Sequence, residues 1–143
     1  GGATVACLAY RTAAQVLTSS TWDLCEFTHT VYDTDSAFDT TTNYDFTVPT
    51  GEGGKYLIIG QVTMHDLLID SDFDLQVRVN NVNKLMRQDE PGTTGGQGPI
   101  TTSLSGVLDL SAADTVDLWV WHDDSRQMTH SSYDSHLTIH KLS

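Results

Sequence analysis

Asp72-Phe73-Asp74-Leu75-Gln76-Val77-Arg78-Val79-Asn80-Asn81-Val82-Asn83-Lys84-Leu85-Met86 is the run that decides the fold class. Phe73, Leu75, Val77 and Val79 recur at every second position with polar residues between them. An extended chain therefore sends the first set to a core and the second to water. Asn80-Asn81 supplies two residues that tolerate positive φ, and the apolar run resuming at Val82 predicts a tight hairpin. Other short alternating runs follow the same period, with turn residues between them, and helical periodicity is scarce. The expectation is an all-β chain.

Upstream, Lys55-Tyr56-Leu57-Ile58-Ile59-Gly60-Gln61-Val62 is apolar on both parities and reads as a central strand covered on both faces. Downstream, Thr115-Val116-Asp117-Leu118-Trp119-Val120-Trp121-His122 places Val116, Leu118 and Val120 on one face and Trp119 with Trp121 on the other. Two indoles on the face away from the core need cover of their own. A partner subunit is the expected cover, and a loop of the same chain is the alternative. Asp89-Glu90-Pro91-Gly92-Thr93-Thr94-Gly95-Gly96-Gln97-Gly98-Pro99 is the one long breaker-rich stretch. No helix pattern follows it to donate amides, so it reads as a loop and not as a phosphate cradle.

The 143 residues suit one domain able to bury a core without metals or disulfides. With no repeats and no second composition regime, residues 1–143 read as a single domain, with 1–4 as a short N-terminal arm or linker remnant. Seven Lys and Arg against nineteen Asp and Glu give a formal charge of −12. That balance disfavours nucleic acid and anionic membranes as partners. No stretch of about 18 apolar residues suggests a membrane span, and the start Gly1-Gly2-Ala3-Thr4 lacks the basic and apolar regions of a signal peptide. Cys7 and Cys25 allow one bridge at most; each lies in an apolar run where a free thiol behaves as a small hydrophobe.

Phe27, Asp33 and Phe38, followed by Phe46 and Gly54-Lys55-Tyr56, resemble the signature of the globular heads of the C1q/TNF superfamily. Ser103–Leu110, then Ala113–Leu118, then Ser135-His136-Leu137-Thr138-Ile139 extend the likeness over nearly the whole sequence. Within that superfamily, Thr21-Trp22, Tyr32-Asp33-Thr34-Asp35, Phe46-Thr47-Val48-Pro49 and Gly53–Ile58 look like the copies carried by bacteriophage structural proteins. The resemblance implies a ten-stranded jelly-roll β-sandwich assembled as a homotrimer. It further implies that the sheet holding both the Gly54–Gln61 and Val116–Trp121 strands faces the threefold axis, with Tyr56, Ile58, Trp119 and Trp121 at the seam.

Asp33, Asp35 and Asp39 with Asn43 form one acidic group, and Asp70, Asp72 and Asp74 form another. Calcium takes six to eight oxygen ligands, which makes Asp33, Asp35, Asp72 and Asp74 its candidates. Neither group has the cadence of a dedicated calcium loop, and a solvated acidic surface accounts for both. His136 and His140 would lie about 13 Å apart on a strand and cannot share an ion. His122-Asp123-Asp124 reads as a strand-end loop with ordinary polar contacts, and His65-Asp66 is a lone dipeptide. No nucleophile elbow and no Cys–His pair with a family spacing occurs, so no enzyme and no obligatory cofactor is expected.

The function these readings imply is that of a non-enzymatic virion protein. It would be a trimer on the outer surface of a phage capsid, decorating or cementing the major capsid protein through Gly1, Gly2, Ala3 and Thr4. The alternative is a receptor-binding head on the stalk of a tail or head fibre. There the loop around Gly95 and Gly96, with Trp22 and Tyr44, would meet a host surface glycan or protein. A secreted C1q-like adhesion or recognition module is the third.

Overall fold

The computed structural model describes residues 4–64, 67, 71–89, 99–124 and 134–143, together with the backbone course of 128–130. Among these residues every regular element is a strand. In chain order they are β1 (Ala6–Tyr10), β2 (Gln15–Leu17), β3 (Asp23–Leu24), β4 (His29–Asp33), β5 (Phe46–Thr47) and β6 (Gly54–Met64), then β7 (Phe73–Val79), β8 (Val82–Asp89), β9 (Ile100–Leu110), β10 (Thr115–His122), β11 (Met128–His130) and β12 (His136–Lys141). The expected ten strands become twelve segments among the described residues: β2, β3, β5 and β11 are pieces of two or three residues, β3 and β5 sharing an edge of β10, β11 meeting the end of β6 and β2 pairing with β11.

All pairings are antiparallel, in two sheets. The seven-stranded sheet runs β4-β1-β12-β6, with β9 along the other edge of β6 and β11 and β2 continuing beyond Met64. The five-stranded sheet runs β3-β10-β7-β8, with β5 sharing an edge of β10. The hairpin expected at Asn80-Asn81 is present: Val79 faces Val82, and both asparagines have positive φ (52° and 66°). That is the two-residue turn whose twist matches the flanking strands.

The core lies between the sheets as one cluster, with Phe73, Leu75, Val77, Val116, Leu118 and Val120 from one side and Cys7, Tyr56, Ile58, Leu137 and Ile139 from the other. Close approach of the sheets is built on two glycines. A Cβ at Gly60 would stand 2.7 Å from Leu118 Cδ1, and one at Gly106 would stand 2.7 Å from Leu85 Cδ2. Cys7 and Cys25 are both free and buried. Burial, then the Asp33 charge, pushes the Cys7 thiol up to about 12, and Cys25 is raised by the same dominant cause, so neither is poised as a nucleophile.

The motif residues of the resemblance turn out to be architectural. Phe27, Phe38, Phe46 and Tyr56 are all core side chains, and the Phe46 and Tyr56 rings meet edge-on at 6.1 Å. Asp33 accepts the backbone N–H groups of Ala37 and Phe38 at 2.9 and 2.8 Å, fixing the loop that delivers Phe38 to the core.

Two expectations need correction. The Gly54–Gln61 and Val116–Trp121 segments lie in opposite sheets, because β6 pairs with β9 and β12 whereas β10 pairs with β7. Tyr56 and Ile58 do not face outward: both are 0% exposed within the single chain, and the Tyr56 hydroxyl donates to the Glu52 carbonyl at 2.7 Å. The pairing of Ile58 with Ile139 sets that parity and leaves Leu57 and Ile59 on the outer side.

Candidate functional site

The outward face of the seven-stranded sheet is set by the register. Three rows cross β1, β12, β6 and β9: Ala6, His140, Leu57, Val107; Leu8, Thr138, Ile59, Ser105; and Tyr10, His136, Gln61, Ser103. The first two rows place Leu8, Leu57, Ile59 and Val107 together as an aliphatic patch, Val107 being half exposed (51%). No carboxylate, lysine or arginine occurs in these rows, on a chain whose net charge is −12.

Polar contacts frame the patch. The Tyr32 hydroxyl and His140 Nε2 are 2.6 Å apart, and the Tyr10 and His29 rings lie with centroids 5.7 Å apart. At the far end Lys55 Nζ sits 3.0 Å from Asp109 Oδ2, an exposed ion pair. Beside the patch, where the sandwich opens between β8 and β9, Ile59, Met86, Arg87 and Ser105 help to line a cleft of about 540 Å³.

The outward face of the five-stranded sheet is built differently. Trp119, opposite Gln76 and Leu24, donates its indole N–H to Asp117 Oδ1 at 2.8 Å. The Arg78 guanidinium lies 4.0 Å above the Trp119 ring and 5.8 Å from Trp22, and its Nε donates to Gln76 Oε1 at 2.9 Å. Trp119 is thus covered by the chain's own side chains, and the cation–π contact supplies part of what a partner was expected to supply. Trp121 lies across from Asp74 on this same face, away from the aliphatic patch. Burial pushes Asp117 up to about 6, against the opposing hydrogen bond from Trp119 and the Arg78 charge.

The acidic groups are occupied in local structure. Both Asp33 oxygens hold backbone amides, and Asp35 accepts the Thr34 hydroxyl at 2.8 Å. Asp39 accepts the amides of Thr41, Thr42 and Asn43, which holds its carboxyl down at about 2. Asp72, Asp74, Gln88 and Asp89 line a pocket of about 240 Å³, in which burial first, then neighbouring carboxylates, raises Asp74. Among the described residues no group of three or more His, Cys, Asp or Glu is placed to hold a metal ion.

His122 departs from the expected loop. It ends β10 pointing into the sandwich and is fully enclosed. Burial lowers its pKa, although the Leu17 backbone and the carboxylates of Asp124, Asp23 and Asp123 favour the charged form. Thr4 is exposed just ahead of β1. Gly1, Gly2, Ala3, His65, Asp66, Asp70, Gly95 and Gly96 lie outside the described residues.

No family model matches the sequence, and no curated protein matches it. Solved structures do. Eiger TNF from S. frugiperda superposes with a TM-score of 0.68 at 16% identity, over 98% of this chain and 93% of that one. The globular domain of zebrafish complement 1qA protein gives 0.64 at 13% identity, over 97% and 98%. The fold is that of the TNF and C1q globular domains. At these identities the likeness extends to architecture alone. Within this C1q/TNF-like fold, sequence reasoning missed Leu8, Leu57, Ile59 and Val107 as a surface. The one signal for it was the apolarity of 55–62 on both parities, which reads equally as a strand covered by its own chain.

Proposed function

We propose that the chain is a non-enzymatic structural protein that assembles as a homotrimer through the outward face of the seven-stranded sheet. The observation that carries this reading is the aliphatic patch of Leu8, Leu57, Ile59 and Val107 in rows free of carboxylates. A chain of charge −12 repels its own copies over most of its surface, and this is a face on which two copies approach without that penalty. Covering a Leu or Ile side chain contributes about 1.5–3 kcal/mol when burial is complete, so a few such residues per copy sustain association. The stoichiometry of three rests on the resemblance to the C1q/TNF superfamily, and the TNF and C1q fold likeness is compatible with it.

The place of action in this proposal is the outside of a phage capsid, where the trimer decorates and stabilises the shell. Its support is the resemblance of Thr21-Trp22, Tyr32–Asp35 and Gly53–Ile58 to phage structural proteins, together with the acidic surface. Light scattering on the purified chain at micromolar concentration tests the assembly: three chain masses are expected, and a folded monomer overturns it. Counting copies in purified particles tests the location. Many copies, and heat-weakened shells once the protein is stripped, support decoration. A few copies with lost adsorption indicate a fibre head, and no association with particles a free recognition module.

A further inference from the structure

The face proposed for assembly carries a titratable side chain with an enclosed, unpartnered ring nitrogen, and the role inferred for that side chain rests on the assembly reading. His136 sits on β12 in the row Tyr10, His136, Gln61, Ser103. Its Nδ1 is enclosed and has no hydrogen-bond partner. Gln61, directly opposite, turns its amide to the Asp134 carbonyl at 2.8 Å. On the other side stands Tyr10, which is packed on His29, and along β12 come Thr138 and His140, the latter held by the Tyr32 hydroxyl. Arg11, the residue after Tyr10, is drawn off to the carbonyls of Ala13 and Glu26. Among the described residues, the titratable groups on this face besides His136 are Tyr10, His29, Tyr32 and His140, the Lys55–Asp109 ion pair at its far end, and Asp134 at its rim, two residues before His136. Burial alone holds the His136 pKa below the ordinary histidine value.

We propose that protonation of His136 takes the trimer apart, so that the chain assembles at neutral pH and separates in mild acid. Two further copies laid over this face remove water from a ring whose Nδ1 already lacks a partner, and charging the ring there places a cation in a site that burial already makes unfavourable for it. Linkage gives the sign. The ring takes up a proton more readily in the free chain than in the assembly, so acid favours the free chain. Association is complete above the ordinary histidine pKa of about 6.5 and is lost as pH falls below it. With three rings per assembly, the trimer dissociation constant rises by up to about a thousandfold per pH unit.

The test is sedimentation of the full chain at a fixed micromolar concentration between about pH 8 and about pH 5.5, in parallel with H136Q, which keeps a polar but uncharged side chain. The expected result is a wild-type trimer that dissociates across this range while H136Q stays trimeric. If H136Q falls apart alongside the wild type, another group such as the enclosed His122 is responsible and the proposal is overturned. A wild-type trimer unchanged at the acid end overturns the switch and leaves the assembly standing. A monomer at about pH 8 overturns both. Where H136Q does not yield folded protein, H136T, which repeats the neighbouring Thr138, replaces it with the same outcomes.

Discussion

The two outward faces of the sandwich carry apolar side chains under opposite conditions. On the five-stranded sheet, Trp119 is bonded to Asp117 and roofed by Arg78, with Trp22 flanking the guanidinium. On the seven-stranded sheet, Leu57, Ile59 and Val107 have no such roof among the described residues, and Val107 is half exposed. The larger residues are the ones already satisfied. An indole has a polar N–H and a π face, so it finds partners among neighbouring polar side chains. An aliphatic side chain has neither and waits for another apolar surface.

The largest effect that would separate the two faces is expected from Ile59→Asp. It puts a carboxylate at the centre of the aliphatic patch and should abolish the trimer in light scattering while circular dichroism still reports a folded β chain. A trimer that survives I59D moves the seam elsewhere. Trp119→Ala is the converse. It removes the stacked indole and should cost about 2–3 kcal/mol in urea unfolding, since the ring is partly and not fully enclosed, yet leave the stoichiometry at three. Loss of the trimer in W119A, without loss of fold, would return the seam to the tryptophans.

A smaller effect concerns Asp117, whose folded pKa is raised to about 6, above its ordinary carboxylate value. Between those two values the folded state binds more protons than the unfolded one. The group therefore weakens the fold at neutral pH and relaxes that penalty as pH falls through about 6. Asp117→Asn keeps an acceptor for the Trp119 N–H, and should raise stability at neutral pH by about 1–2 kcal/mol while flattening this part of the pH profile. His122 acts in the opposite direction: its lowered pKa means stability lost on acidification below the ordinary histidine range, so H122Q and D117N should bend the profile oppositely. The smallest effect is expected at the rim, where Lys55→Ala removes an exposed ion pair with Asp109 and should change stability by no more than about 0.5 kcal/mol.

Much of the fold was legible because strand parity is a local property. The alternation over Phe73–Val79 placed Phe73, Leu75, Val77 and Val79 in the core as expected, although Asp74 and Gln76, expected in water, are buried under neighbouring side chains, and Asn80-Asn81 formed the expected turn. The resemblance motif was legible too, although Phe27, Phe38, Phe46 and Tyr56 proved to be core residues and Asp33 a loop clasp, not a contact surface. The aliphatic outer face was not legible. Leu57 and Ile59 alternate with Ile58 in an unbroken apolar run, and a run without polar positions carries no mark of which parity is covered at home. The cover of Trp119 was not legible for the complementary reason: it comes from Arg78 on a neighbouring strand, with Trp22, distant in sequence, flanking the guanidinium.

The sequence alone determined the secondary-structure class, the hairpin register, the net negative charge and, through its motif, the jelly-roll architecture. Those depend on spacing along the chain and on net charge, both of which are read in one dimension. Only the tertiary structure decided that β6 and β10 belong to opposite sheets, that Tyr56 and Ile58 point inward, and that Leu8, Leu57, Ile59 and Val107 meet on one surface. Each of these is fixed by pairing between strands far apart in sequence, and a shift of one residue in any such pairing exchanges the buried and exposed sets.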